Sequence, residues 1–64
     1  MKFKNNDYVE TLVDKGKFKK GSKGTVICCF DKPIEGYMVE FEVDYEDGWD
    51  SETYHFDELK LVLI

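Results

Sequence analysis

Tyr37-Met38-Val39-Glu40-Phe41-Glu42-Val43 alternates along its whole length. Tyr37, Val39, Phe41 and Val43 fall on one side, and Met38, Glu40 and Glu42 fall on the other. A period of two is the signature of a strand with one buried face. Asp44-Tyr45-Glu46-Asp47-Gly48 follows and ends in an Asp-Gly pair, a strong hairpin signal, so Trp49–His55 reads as the return strand.

Working outward from this hairpin, the run Thr25-Val26-Ile27-Cys28-Cys29-Phe30 is apolar throughout and reads as a strand buried on both faces. Residues 8–13 alternate and read as a first strand. Between these two strands lies a glycine-punctuated loop carrying Lys15, Lys17, Lys19, Lys20 and Lys23. Residues 31–36, with Pro33 and Gly36, form a turn. Downstream, Phe56-Asp57-Glu58 has the length of one tight helical turn, with Asp57 as its expected cap. Residues 59–63 close the chain as a last strand, with Leu59, Leu61 and Leu63 on one face. Glycines interrupt every window in which a helical apolar stripe could develop. The expected core is Val26, Cys28, Val39, Phe41, Leu59 and Leu61.

A chain of 64 residues has room for one domain, 1–64, and one core. Five Phe, four Tyr and one Trp suit a compact β fold. Five short strands of this length cannot cover two sheet faces as an open layer, whereas curling covers the inner face and reduces the edges. The expected fold class is therefore all-β: a small five-stranded SH3-like barrel with a short helical turn before the last strand.

Gly16-Lys17-Phe18-Lys19-Lys20-Gly21-Ser22-Lys23-Gly24-Thr25-Val26-Ile27 resembles the opening of KOW-type and related SH3-like barrels, in which a basic residue and a glycine precede a Gly-Thr-Val strand. Gly36-Tyr37-Met38-Val39-Glu40-Phe41 resembles a strand of a family of small bacterial proteins of uncharacterised function, and residues 54–61 resemble that family's closing segment. Some of its members are similar to immunity proteins or antitoxins encoded beside toxins. The resemblance spans residues 7–62 and implies a standalone binding module. This chain departs from the pattern in its third hairpin, which is longer and far more acidic.

Charge is unevenly spread. Residues 1–32 carry eight lysines and four acids, a balance of +4; residues 33–64 carry one lysine and ten acids, a balance of −9, within a formal net charge of −5. From Glu40 to Glu58 there are nine acids and no Lys or Arg. Such charge keeps a small protein soluble, and it also repels itself. Aromatic residues interleave with it, and Trp and Tyr beside charges make good interface anchors. The expected partner-binding residues are Glu40, Glu42, Asp44, Tyr45, Glu46, Asp47, Trp49, Asp50, Glu52 and Tyr54. The expected partner is a basic protein, such as a toxin or nuclease domain.

Other classes find less support. Phosphate-backbone binding needs Lys and Arg, and the chain has no arginine, so the acidic half opposes nucleic acid. Catalysis has no phosphate loop, nucleophile elbow or metal signature, and His55 reads as a strand-end residue packed at the barrel rim. No cofactor is expected. Adjacent Cys28 and Cys29 point to opposite faces of a strand and are badly placed for a mutual bond; two unpaired thiols fit a reducing compartment. The N-terminus lacks an apolar leader-like region and no apolar run approaches the roughly 20 residues of a membrane span, so the expected location is the cytoplasm. The expectation is thus a protein-binding inhibitor, whether immunity protein, antitoxin or phage-encoded inhibitor. The alternative is an SH3-like or KOW-like adaptor, or a nucleic-acid-associated domain, acting through the lysine loop.

Overall fold

The computed structural model describes residues 2–42 and 48–63. The chain forms β1 (Tyr8–Thr11), β2 (Lys23–Phe30), β3 (Gly36–Glu42), β4 (Trp49–His55), a 3-10 turn (Phe56–Glu58) and β5 (Leu59–Leu61). All neighbours pair antiparallel in one five-stranded sheet of order β4-β3-β2-β1-β5. The all-β class and the short turn before the last strand are as the sequence implies. Among the described residues no helix is long and apolar enough to cross a membrane.

The alternation of β3 sets the core. Tyr37, Val39 and Phe41 are buried, and each lies opposite a residue of β4: Tyr54, Glu52 and Asp50. Val26, Val9 and Leu59 extend the same buried face across β2, β1 and β5. Two residues from outside the strands complete it. Phe3 meets the Tyr37 ring edge-on at 5.1 Å, and Phe18, from the lysine loop, stacks on Phe41 at 4.2 Å. Main-chain N–H groups of Lys2 and Phe3 donate to the Tyr37 hydroxyl at 2.9 and 3.1 Å, and that hydroxyl donates to Glu35. The N-terminal segment is thereby pinned to the start of β3.

Four of the six expected core residues are buried: Val26, Val39, Phe41 and Leu59. Cys28 and Leu61 are not. The pairing of β2 with β3 shifts register between Val26 and Cys28, which places Ile27 as an extra residue. Val26 faces Val39, but Cys28 faces Met38, and Cys29 comes back opposite buried Tyr37. A one-residue slip exchanges the faces of everything beyond it. Cys28 is therefore only half-buried, on the outer face, and Cys29 takes the inward position, packed against the core. The same bulge defeats the reading of 25–30 as buried on both faces, since Ile27 and Phe30 are exposed. Leu61 lies opposite Val9 but is 45% exposed, because β5 is the last strand of the sheet and no described strand pairs with its other edge.

Boundaries differ modestly. β1 ends at Thr11 and β5 at Leu61, both short of expectation, and β2 begins earlier, at Lys23. Val43, expected to end β3, and the Asp47 half of the hairpin signal lie outside the described residues. The 3-10 turn is capped by Glu58, whose carboxylate accepts the His55 N–H at 2.8 Å, and not by Asp57. His55 itself is exposed at the end of β4 and does not pack into a rim.

The lysine loop is ordered by its own hydrogen bonds. At its base, Thr11 and Ser22 bond through the backbone at 2.8 Å, and the buried Thr11 hydroxyl donates to the Lys19 carbonyl at 3.1 Å. At its tip, Lys15 and Phe18 exchange backbone bonds of 2.9 and 3.0 Å around Gly16 and Lys17. Gly16 has a φ of +57°, which its lack of a Cβ permits. That turn delivers Phe18 to the core.

Candidate functional site

Strand pairing sorts the expected partner-binding residues onto two surfaces. On the outer face of the sheet, Glu42 lies opposite Trp49, and Glu40 lies opposite Ser51 on one side and Thr25 on the other. Trp49 is 56% exposed. Neither Glu40 nor Glu42 makes an ion pair with another described residue. Ile27, Tyr8 and half-buried Met38 continue this face, so its acids stand among apolar side chains.

Asp50, Glu52 and Tyr54 take the alternate positions of β4, on the side of Phe41, Val39 and Tyr37. Here the lysine loop meets the acidic strand. Lys17 Nζ lies 2.5 Å from an Asp50 carboxylate oxygen, and Lys15 Nζ lies 3.4 Å from Glu58. Lys15 also stands 5.3 Å from the centre of the Tyr54 ring, within cation–π range. Gly16 passes so close to Glu52 that a Cβ there would come within 2.5 Å of the carboxylate. The two halves of opposite charge, separate in sequence, touch in the fold. These contacts leave less of the acidic charge uncompensated than the sequence implies.

The carboxyls respond to these surroundings. The hydrogen bond from Lys17, then that from the Ser51 N–H, holds Asp50 below the usual carboxylate range. Glu58 is also held low, chiefly by the His55 N–H and then by the Lys15 charge. Tyr54 is fully buried, and burial followed by the negative charges of Glu52 and Glu58 pushes its hydroxyl up to about 12. Its hydroxyl bonds to no other described residue. Tyr54 is therefore a core residue with no surface to offer a partner. Asp44, Tyr45, Glu46 and Asp47 lie outside the described residues.

Neither Cys28 nor Cys29 is in a disulfide. Cys29 Sγ donates to Asn5 Oδ1 at 3.3 Å, and burial, then the neighbouring Cys28 and Asp7, pushes its thiol up, away from the reactive thiolate. Among the described residues no group of three or more His, Cys, Asp or Glu could hold a metal ion.

Sequence reasoning missed Phe18 and Glu58. Phe18 is the one large apolar residue between Lys15 and Lys23, an anomaly in an otherwise hydrophilic loop that marks an anchor. Glu58 has one local signal, its place three residues after His55, the spacing of a capping-box acid, whereas its other partner, Lys15, lies 43 positions away and is brought to it by the fold. Comparison with protein-family models, with curated proteins and with solved structures finds no match for this chain.

Proposed function

We propose that the chain is a small SH3-like barrel acting as a protein-binding inhibitor, of the immunity or antitoxin kind, that covers a basic surface of its partner. The sheet order, with a 3-10 turn between β4 and the last strand, supports the barrel reading. One observation carries the functional reading. Glu40 and Glu42 are bound by no described lysine, and beside them Trp49 is largely exposed. An exposed indole costs solvation in the free protein and becomes an anchor when buried in a complex. Carboxylates beside it that no described residue pairs attract Lys or Arg and speed association over a range of about 8 Å at physiological salt. Asp50 and Glu58 serve differently here, as partners of the protein's own lysines.

The test is affinity capture from the source organism with three baits: the parent, a Glu40→Gln/Glu42→Gln/Trp49→Ala variant, and a Lys19→Gln/Lys20→Gln variant. The expected result is a basic protein retained by the parent and the lysine variant, released by salt, and lost with the triple variant. Retention of nucleic acid by the parent, lost only with the lysine variant, would overturn the reading in favour of the loop.

A further inference from the structure

Among the described residues β4 ends the sheet, and no described strand pairs with its other side. An unpaired strand edge is a template for another strand, and proteins protect such edges with charge. On β4 the protection is specific. The Ser51 N–H donates to the Asp50 carboxylate at 2.8 Å, the Thr53 N–H to the Glu52 carboxylate at 3.4 Å, and the His55 N–H to the Glu58 carboxylate at 2.8 Å. These are three successive alternate residues. Alternate N–H groups of a strand point the same way. The Ser51, Thr53 and His55 donors of this row are each bonded to a carboxylate.

We propose that Asp50, Glu52 and Glu58 lock the β4 edge, and that the occupant they exclude is β4 of a second copy of this chain, antiparallel about Thr53. The register argues for a second copy. Ser51, Thr53 and His55 are symmetric about Thr53, so a two-fold pairing sets Thr53 against Thr53 and Ser51 against His55, with each copy donating and accepting. Glu52 of each copy then falls opposite Tyr54 of the other, and no two acids of the strands stand directly opposed. What opposes the pairing is the set of carboxylates on the N–H groups, together with the diagonal approach of the two Glu52 side chains.

The fold holds the lock in place from the opposite side. Lys17 fixes Asp50, Lys15 fixes Glu58, and Gly16 leaves just the room that the Glu52 carboxylate fills. Lys17 acts on Asp50, Lys15 and His55 act on Glu58, and Tyr54 feels the charges of Glu52 and Glu58. The lysine loop is thus a brace for the edge, a role independent of any partner on the outer face.

The test is sedimentation velocity over a concentration series, with amide exchange read by nuclear magnetic resonance. The parent and a Glu40→Ala/Glu42→Ala control, which loses two acids of the outer face but keeps every edge bond, are expected to stay monomeric. An Asp50→Ala/Glu52→Ala/Glu58→Ala variant is expected to dimerise. Its Ser51, Thr53 and His55 amides should exchange at least tenfold more slowly in concentrated than in dilute samples. A folded, monomeric triple variant overturns the proposal. So does a dimer whose three amides are unaffected, or equal dimerisation of the control, which would assign the effect to bulk charge. If the triple variant does not fold, Glu52→Ala alone decides, since it leaves both ion pairs intact: Thr53 exchange in the monomer must accelerate relative to the parent, and unchanged exchange overturns the lock.

Discussion

Phe18→Ala should cost this protein most of its stability, although the residue lies in a loop of lysines. Phe18 is 8% exposed and stacks on Phe41, which meets the Tyr54 ring edge-on at 6.0 Å. Removing a buried Phe side chain costs about 3–5 kcal/mol where the site cannot collapse. A domain of this length has a total stability on the order of 3–10 kcal/mol. The variant should therefore melt at least roughly 12 °C below the parent, or fail to fold at 25 °C. The cause can be separated from general loosening with milder variants. Phe18→Leu and Phe41→Leu should each cost about 1–2 kcal/mol. Their double variant should lose less than the sum by about 0.5–1.5 kcal/mol, the coupling of a stacked pair. Urea titrations followed by circular dichroism and Trp49 fluorescence give these numbers. If Phe18→Ala moves stability by less than about 1 kcal/mol, as an exposed loop residue would, the loop is not anchored in the core and the contact between the charged halves loses its basis.

Gly24→Ala should destabilise the sheet by about 1–3 kcal/mol or more, because a Cβ would stand 2.6 Å from the Glu40 carbonyl and 2.8 Å from Val39 and Phe41; an unchanged urea midpoint would contradict that packing. Tyr54→Phe should stabilise by about 1 kcal/mol, since it removes a buried hydroxyl that bonds to no described residue; a loss of stability would mean that the hydroxyl has a partner. Glu58 is depressed in the folded state, chiefly by the His55 N–H, so its contribution is present above the unfolded carboxylate value of about 4.3 and is lost as pH falls through the lower folded value. Glu58→Gln should accordingly lower the urea midpoint at pH 7 and narrow its gap to the parent as pH falls below about 4; a gap that stays constant down to pH 2 would contradict the assignment.

Much of the fold is legible locally. The alternation of 37–42, the glycine-bearing turns and the short Phe-Asp-Glu turn each report on residues within a few positions, and the five strands overlap the stretches those signals mark, with β1 and β5 shorter and β2 longer than expected. The interleaving of acids and aromatics after Glu40 is equally local, and it leads to Glu42 and Trp49 side by side. The faces past Ile27 could not be read in this way. Alternation predicts a face only while register holds, and a bulge is a relation between two strands, so the residue that would reveal it lies in the partner. Cys28 and Cys29 exchanged roles for that reason.

From its sequence alone the protein is a short β chain with a basic first half, an acidic second half and a tryptophan beyond the hairpin turn. The tertiary structure decided what those charges do. By seating Phe18 in the core, the fold carries Lys15 and Lys17 to Glu58 and Asp50, turning part of a charge imbalance into internal pairs and leaving Glu40, Glu42 and Trp49 on the outer face. Coulomb attraction over a few ångströms depends on distance in space, and residues 33 and 43 positions apart acquire that distance only when the chain has folded.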